Sequence, residues 1–285
     1  MKKIYCLFSF VLLLTSCEKT LKEPEVTTAL TVSVHQLEMT PFSVVTRSSA
    51  TEACTHLNFA IYDMEGSRQQ QINQKLGDVD FGTCTFQLPK GTYQLVAVAH
   101  SASGNPTMTD PVKIKFTNAQ GYTDTFIYYN TITIGDAAQT LALNLRRIVA
   151  RCSFIINDAI PAGVARMRFQ YKGGSGGFDA ATGFGSINST QTLFFDVQEG
   201  KTQTQFDLYT FPHTESATIH LQVNAYDAQD NVLAEREFDI QVRQNMISWY
   251  SGPFFTSGTS SASNQSLTAT VTINTDWAGE MHFTF

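Results

Sequence analysis

Apolar and polar residues alternate along most of this chain, segment after segment. In the first segment, Leu30, Val32 and Val34 alternate with threonine, serine and histidine. A two-residue period places one set of side chains on each face of an extended chain, which predicts a β-strand with one buried face. Further predicted strands cover 57–61, 86–88, 112–116, 126–134, 141–145, 148–156, 165–171, 193–197, 206–209, 219–225, 238–242, 246–250, 267–273 and 281–285.

One segment departs from this alternation because nearly all of its residues are apolar. Residues 93–99 contain one strongly polar side chain, that of Gln94, and they follow the turn residues Pro89-Lys90-Gly91. Such a run predicts a strand that is buried on both faces. Short strands separated by turn residues, with hardly any helical periodicity, indicate an all-β fold made of sandwich domains.

The side of the chain that is apolar changes at the pair Arg146-Arg147. Odd positions from 141 to 145 are leucine, whereas even positions from 148 to 156 are apolar. A β-bulge or a passage from one sheet to another produces such a change. We therefore predict a domain boundary there, with an N-terminal β-sandwich domain over 30–145 and a C-terminal one over 146–285. Each would hold about seven strands, the usual number for one sandwich.

The start of the chain predicts export and lipid attachment. Lys2 and Lys3 precede an apolar run over 4–14 that is shorter than a membrane-spanning helix of about 20 residues. The run ends in Leu14-Thr15-Ser16-Cys17, a bacterial lipobox, which signal peptidase II cuts before a lipid-carrying cysteine. The pattern predicts a signal peptide over 1–16, lipidation of Cys17 and a charged tether over 17–29. A plain secretory signal with a chance cysteine is the alternative.

Composition narrows the kinds of partner and of membrane attachment that the sequence predicts. Charged residues make up only 15% of the 285 residues, and the formal net charge is −6. An acidic chain gives no electrostatic reason to expect a nucleic acid or an anionic lipid surface as partner. After the signal, no apolar stretch of the sequence has the length that a membrane span needs, so the lipid on Cys17 is the expected anchor.

Three cysteines accompany Cys17 in the exported chain, namely Cys54, Cys84 and Cys152. In an oxidising compartment an odd number leaves at least one cysteine unpaired. Cys84 shares its parity with Phe86, and Cys152 lies on the apolar side of its own segment, so both are predicted to be core residues. A Cys54–Cys84 disulfide is a candidate, although strand parity gives it no support. No pair has the short spacing typical of zinc ligands.

No stretch carries a recognisable catalytic, cofactor or metal motif. Residues 173–177 (Gly-Gly-Ser-Gly-Gly) resemble a phosphate-binding loop but lack the lysine and the helix that should follow, so a flexible hairpin loop is predicted. Residues 78–82 resemble half of a calcium loop without its remaining acids, which favours a polar turn. The histidines stand singly, and no nucleophile elbow is present. We therefore predict a protein that is not an enzyme and that uses neither a cofactor nor a metal.

Several arginines fall at outward positions near the predicted domain boundary. We predict that they share one basic patch on a solvated strand face, the alternative being a site for an acidic partner. They are Arg146, Arg147, Arg151, Arg166 and Arg168.

The succession of several motifs resembles the FimA/FimB-like fimbrillin superfamily, the fimbrial subunit lipoproteins that build type V pili of anaerobic Gram-negative bacteria. No single motif is specific, and their order and spacing carry the resemblance over nearly the whole chain. The motifs are the lipobox at Cys17 and the segments 57–63 (Leu-Asn-Phe-Ala-Ile-Tyr-Asp), 88–93 (Leu-Pro-Lys-Gly-Thr-Tyr), 96–99, 143–150, 160–161 and 242–245. The minor, FimB-like branch is the most similar.

The resemblance implies two tandem transthyretin-like β-sandwich domains and transport to the outer membrane as a lipoprotein. It also implies that an arginine-specific protease removes the N-terminal strand, after which subunits polymerise by strand donation. Arg47, followed by Ser48 in a Ser/Thr-rich stretch, matches the processing position. The expected partners are other fimbrial subunits at the cell surface, and the expected role is adhesion as an accessory, tip or anchor component.

Two questions about function stay open at this point. Residues 281–285 are a candidate donor strand because Met281, Phe283 and Phe285 alternate to the last residue. The competing interpretation is that both terminal strands complete their own domains. A second class of function is a surface lipoprotein that does not polymerise and binds carbohydrate or a host or partner protein. Exposed aromatic side chains would serve it, and the candidates are Phe178, Phe184, Trp249, Tyr250, Phe254 and Phe255.

Overall fold

β-Strands alone build the described part of the fold. The structure is a computed structural model, and it describes residues 26–38, 54–117, 121–256, 270–272 and 279–285. The all-β class predicted from the alternating pattern is confirmed. No helix in the described ranges has the length and apolar character that crossing a membrane requires. The strands are β1 (Thr27–Glu38), β2 (His56–Tyr62), β3 (Arg68–Lys75), β4 (Thr83–Pro89), β5 (Gly91–His100), β6 (Ile114–Lys115), β7 (Thr125–Ile134), β8 (Gln139–Arg147), β9 (Ala150–Ile156), β10 (Arg166–Ser175), β11 (Gly177–Phe178), β12 (Asn188–Asp196), β13 (Thr204–Thr210), β14 (Ser216–Tyr226), β15 (Val232–Arg243), β16 (Ile247–Gly252), β17 (Thr270–Thr272) and β18 (Glu280–Thr284).

The first sheet has seven strands in the order β3-β2-β5-β7-β8-β1-β4. β1 runs parallel to β8 and antiparallel to β4, and every other pair in this sheet is antiparallel. Alternate side chains of the strands meet in one core, which includes Leu30, Phe59, Phe86 and Phe126. Because Ile72 of β3 and Phe86 of β4 both pack on this core from opposite ends of the strand order, the sheet curls round it.

The C-terminal part of the chain forms a sandwich of two sheets. One sheet has the order β12-β10-β14-β15, and the other has the order β13-β9-β16-β18-β17. Side chains of both sheets share a second core, which includes Phe154, Phe169, Leu221 and Tyr250. The even positions 150, 152, 154 and 156 of β9 are at most 1% exposed, as the change of apolar side at the arginine pair predicts.

A short two-stranded sheet connects these two parts, since β6 pairs antiparallel with β11. The glycine-rich run at 173–177 lies at this connection, and the prediction of a flexible loop is wrong. Gly174 lies in β10, Gly177 begins β11, and both are buried. A Cβ atom at Gly177 would overlap the carbonyl oxygen of Ile114, and one at Gly174 would overlap the hydroxyl of Thr210. Close approach of neighbouring segments therefore requires glycine at these positions.

Residues of both parts also share a third core. It contains Val96 and Val98 of β5 together with Phe178 and Phe211 from the C-terminal part. Leu95 and Ala97 point the other way, into the core of the seven-stranded sheet. β5 is therefore buried on both faces along residues 95–99, which confirms the prediction from its nearly continuous apolar sequence.

Candidate functional site

The N-terminal strand β1 occupies an interior place in the seven-stranded sheet. Residues 27–33 pair with β4 on one side, and residues 30–38 pair with β8 on the other. The hydroxyl of Thr28 adds a hydrogen bond to the carbonyl oxygen of Gly135 at 2.9 Å. Loss of β1 would therefore open two main-chain ladders at once, and buried backbone groups without partners are costly.

Alternate side chains of β1 close one side of the first core. Leu30, Val32 and Leu37 are at most 1% exposed. A β-bulge between Val34 and Gln36 shifts the pairing with β8, which returns Leu37 to the inner face. Full burial of an aliphatic side chain of this size is worth about 1.5–3 kcal/mol, so the groove without β1 is a strongly apolar one.

The C-terminal strand β18 occupies an interior place in the five-stranded sheet. It runs parallel to β16 and antiparallel to β17. Phe283 is 6% exposed, and its ring stacks on Tyr250 with centroids 4.4 Å apart. Phe285 stacks on Phe154 at 4.7 Å. The aromatic residues that the sequence offers for donation thus lie in the sandwich of their own chain.

An arginine holds the end of β18. The guanidinium of Arg236 donates a hydrogen bond to the carbonyl oxygen of Pro253 at 2.6 Å. Its central carbon lies 5.2 Å from the ring centroid of Phe285 and 5.0 Å from that of Phe238. Burial lowers the pKa of Arg236, while Asp158 opposes the change, and an arginine remains charged at neutral pH in either case. These contacts tie the last residue of the chain to β15 and to the loop after β16.

Asp158 holds the beginning of that loop. Its carboxylate accepts hydrogen bonds from the backbone N–H groups of Phe254, Phe255 and Thr256 at 2.9, 2.7 and 2.8 Å. Partial burial acts to raise the pKa of Asp158, but the hydrogen bonds favour the charged form and leave the pKa below its ordinary value. The loop is therefore held by a carboxylate that is ionised at neutral pH.

The arginine pair at the predicted boundary lies between the two parts of the chain. Arg147 is 3% exposed and donates two hydrogen bonds to the carboxylate of Asp124, at 2.7 and 2.8 Å. Its guanidinium also lies over the ring of Phe126, 4.9 Å from the centroid. Arg146 donates to the carbonyl oxygen of Thr182 at 2.7 Å. The prediction that Arg147 faces solvent is wrong because a carboxylate from a distant part of the sequence neutralises it inside the protein.

The remaining arginines of the predicted basic patch lie on two different surfaces. Arg151 belongs to the five-stranded sheet, where its guanidinium lies over Trp249 at 5.8 Å. Arg166 and Arg168 belong to the four-stranded sheet, where both lie over Tyr226, at 5.5 and 5.8 Å. Because the two sheets pack face to face, their outer faces point in opposite directions. The five arginines therefore do not form one patch.

A buried histidine, His100, is the last residue of β5, and its ring contacts Phe116 of the third core. His100 is 0% exposed, and its Nε2 is 2.8 Å from Oδ1 of Asn58. The backbone N–H of Ala102 donates to Nδ1 at 3.1 Å, which leaves the proton of a neutral ring on Nε2. Burial lowers the pKa of His100 to about 3, with His56 as a further cause. Within the described residues, no three His, Cys, Asp or Glu side chains come together as a metal site requires.

The first and last described strands, β1 and β18, are thus both interior strands of their sheets. A family model of the fimbrillin-A associated anchor proteins Mfa1 and Mfa2 matches residues 24–279. The chain belongs to this family. The similarity to fimbrial subunits that the motifs indicate is thereby confirmed, and the protein is a fimbrial accessory or anchor subunit. Among curated proteins, no significant match is found.

Several solved structures resemble this member of the anchor-protein family. A candidate adhesin from Bacteroides ovatus has a TM-score of 0.53 and 14% identity, over 80% of this chain and 88% of that chain, and it shows the same all-β fold. The fimbrial anchor protein Mfa2 from Porphyromonas gingivalis has a TM-score of 0.45 and 12% identity, over 74% and 82% of the two chains. The tip fimbrial protein Mfa3 from the same organism, truncated at its C-terminus, has a TM-score of 0.35 and 11% identity, over 75% and 81%.

In this anchor-family chain the aromatic residues considered for ligand binding do not form an exposed cluster. Phe178, Tyr250 and Phe254 are at most 2% exposed, so they belong to the interior, and that prediction is wrong for them. The remaining three, Phe184, Trp249 and Phe255, are half-buried. Phe194, which is not among these candidates, is instead 53% exposed on β12, and the guanidinium of Arg166 lies over its ring at 5.0 Å.

Of the remaining predicted sites, the structure describes the core cysteines but not the lipidation and processing residues. Cys84 and Cys152 are buried free thiols, so the candidate Cys54–Cys84 disulfide is not present. Burial raises the pKa of the Cys84 thiol to about 12, which keeps it protonated. Cys17, Arg47 and Ser48 lie outside the described residues, so lipidation and processing stay predictions.

Proposed function

We propose that this chain is an accessory subunit of a surface fimbrium, fixed to the outer membrane by a lipid on Cys17 and joined to other fimbrial subunits. Membership of the anchor-protein family supports the fimbrial part of the proposal. The lipobox at residues 14–17 supports the lipid part, because two or more acyl chains give stable membrane anchoring. Adhesion then results from assembly with other subunits.

The proposed mechanism of assembly is strand exchange at the place of β1. The observation that carries it is that β1 is paired on both sides, while its covalent link to β2 runs through a segment that contains Arg47. Cleavage after Arg47 would make Ser48 the new N-terminus and break that link. The departing strand would leave a groove between β8 and β4, which the extended strand of a partner subunit fills by β-augmentation.

The C-terminal strand supports a role as acceptor, cap or anchor in this assembly. Phe283 and Phe285 are stacked in the sandwich of their own chain. Donation of β18 to another subunit would require both rings to leave that core, whereas acceptance at the place of β1 leaves β18 undisturbed. We therefore place this chain at the end of a fimbrium, where a subunit receives a strand without giving one.

The same proposal divides the chain into two transthyretin-like domains over 30–145 and 146–285. The large sheets support this division, since the seven-stranded sheet ends at Arg147 and the two sheets of the sandwich begin at Ala150. The third core is the contact surface between the two domains. An apolar contact of this kind suits a subunit that transmits force between a membrane anchor and a fimbrium.

Digestion with an arginine-specific protease tests the assembly mechanism. Purified full-length protein is digested, its new N-terminus is sequenced, and its size is measured with and without fimbrial subunits from the same cells. We expect a chain that starts at Ser48 and that forms a complex, while an Arg47→Lys variant stays uncut and monomeric. Cleavage at Arg47 without complex formation would contradict strand exchange. For the anchor, Cys17→Ala should move the protein out of the membrane fraction, and a Cys152→Ala variant is the matched control.

A further inference from the structure

The two edge strands of the seven-stranded sheet are β3 and β4. Among the described strands, β3 has a main-chain ladder only with β2, and β4 has one only with β1. The place of β4 therefore depends on β1 as far as backbone hydrogen bonds are concerned. An edge strand with one ladder is the part of a sheet that opens most easily.

Two glutamine side chains of β3 cross from one edge to the other. Nε2 of Gln74 donates to the carbonyl oxygens of Asp80 and Thr83 at 2.9 and 2.7 Å, and its Oε1 accepts from the N–H of Gly82 at 3.0 Å. Nε2 of Gln70 donates to the carbonyl oxygen of Gln87 at 2.6 Å. The contacts thus reach the loop before β4, the first residue of β4 and a residue near its end.

The chemistry of the amide explains why these positions hold glutamine. A side-chain amide has both a donor and an acceptor, so it pairs with backbone groups as a neighbouring strand would. Gln74 is only 8% exposed, and β4 is an edge strand, so no further described strand lies beside it on the side away from β1. A carboxylate of the same length lacks the two N–H donors and would repel the carbonyl oxygens. Ile72, between the two glutamines, packs on the same core, which directs this face of β3 inward.

We propose that Gln70 and Gln74 form a clasp that closes the curled sheet between β3 and β4 and holds β4 in place independently of β1. The role of the clasp in assembly rests on the proposed function. In that role the clasp keeps β4 as one wall of the groove after β1 has left. The incoming strand then meets two preformed ladders, from β8 and β4, and does not have to order β4 first. Preorganisation of this kind raises affinity because less ordering accompanies binding.

Amide hydrogen exchange of the intact chain tests the clasp without any cleavage. The variants are Gln74→Ala and Gln70→Ala, and Gln71→Ala is the matched control because Gln71 lies on the same strand and points to the opposite face. We expect exchange of the β4 amides to accelerate about tenfold or more in Gln74→Ala, since three hydrogen bonds to the backbone at the start of β4 are lost, one of them from the buried N–H of Gly82. The acceleration should be smaller in Gln70→Ala, and absent at β5 and β7 in both variants.

Equal protection of β4 in Gln74→Ala and in the control would overturn the proposal. A uniform loss of protection through all seven strands would overturn it as well, because it would show a general effect on the core. If Gln74→Ala does not fold, Gln70→Ala and Gln74→Glu at low pH, where a protonated carboxyl donates one hydrogen bond, give the same comparison. The result is separate from the fate of Arg47: an uncut or monomeric chain in the protease experiment contradicts strand exchange and leaves the exchange data on β4 unaffected.

Discussion

The N-terminal strand β1 and the C-terminal strand β18 occupy equivalent places but are held in different ways. Each lies between a parallel and an antiparallel neighbour, β8 and β4 for β1, and β16 and β17 for β18. β1 has 12 residues and buries aliphatic side chains along two long ladders. β18 has 5 residues and is fixed by ring stacking, with Phe283 on Tyr250 and Phe285 on Phe154.

The two strands differ in how specific their side chains must be for the strand to keep its place in the sheet. Main-chain ladders form with any extended chain that presents apolar residues at the right alternate positions. Ring stacking requires aromatic side chains at given positions, and arginine contacts such as that of Arg236 with Phe285 add to the requirement. Under the proposed mechanism, β1 is therefore the strand that another chain would replace, whereas the ring contacts of β18 favour its own sequence.

The largest effect is expected from a charge on the inner face of β1. Val32 is 0% exposed in the middle of the strand, so Val32→Asp would place an unpaired carboxylate in the first core. We expect the free energy of unfolding to fall by about 3–5 kcal/mol, measured by urea denaturation at neutral pH. His35→Asp, at an exposed position of the same strand, is the control. A loss no larger than that of the control would show that β1 contributes little to the sheet.

Removal of one aromatic ring tests the other strand. Phe283→Ala should lower the free energy of unfolding by about 3 kcal/mol, because it removes buried volume together with the stack on Tyr250. Phe283→Leu keeps most of the volume and isolates the contribution of the stack, about 1 kcal/mol. On β1, the volume-conserving Leu30→Met should cost less than Phe283→Leu. The comparison of the two strands fails if Leu30→Met is the more harmful change.

The parts of the fold that follow from local patterns could be predicted from the sequence. β1, β4 and β9 have alternating apolar residues, and the double burial of β5 follows from its continuous apolar run. The change of apolar side at Arg146-Arg147 marks the passage from the first sheet to the sandwich. In each case the information lies within a few neighbouring residues, because the two-residue period fixes which side chains point inward.

The parts that depend on distant partners could not be predicted. The sequence of β3 is almost entirely polar, and its place in the sheet depends on its ladder with β2 and on the backbone groups near β4 that Gln70 and Gln74 reach. Arg147 is buried because Asp124 lies beside it, and no local rule pairs these two residues. The glycine run at 173–177 indicates flexibility by composition, whereas the close approach of Ile114 determines its role.

Acid should weaken the sheet that holds β1, through His100. The folded state keeps His100 neutral because burial lowers its pKa to about 3, while the unfolded chain takes up a proton near pH 6.5. Unfolding is therefore favoured as the pH falls from 6.5 towards 3, by about 2 kcal/mol at pH 5. A His100→Gln variant should lose this part of the pH dependence in urea denaturation between pH 7 and 5. An unchanged slope in the variant would show that other groups cause the acid response.

The smallest effect is expected at Asp158, which holds the loop beside β18. Because the hydrogen bonds from residues 254–256 leave its pKa below the ordinary value, Asp158 stabilises the fold above its unfolded pKa of about 4 and loses this contribution as the pH falls through the lower, folded pKa. Asp158→Asn should cost about 1 kcal/mol at pH 7, a modest value because the carboxylate is partly solvated. The difference in stability between the variant and the wild type should shrink as the pH falls. Asp227→Asn is the control, since that carboxylate accepts similar turn hydrogen bonds but lies far along the chain from β18.

Hydrogen exchange at Phe283 tests whether the loop or the rings fix β18. If the rings fix it, exchange at Phe283 will change little in Asp158→Asn. A large change there would show that the loop, and not the stack, holds β18 in place.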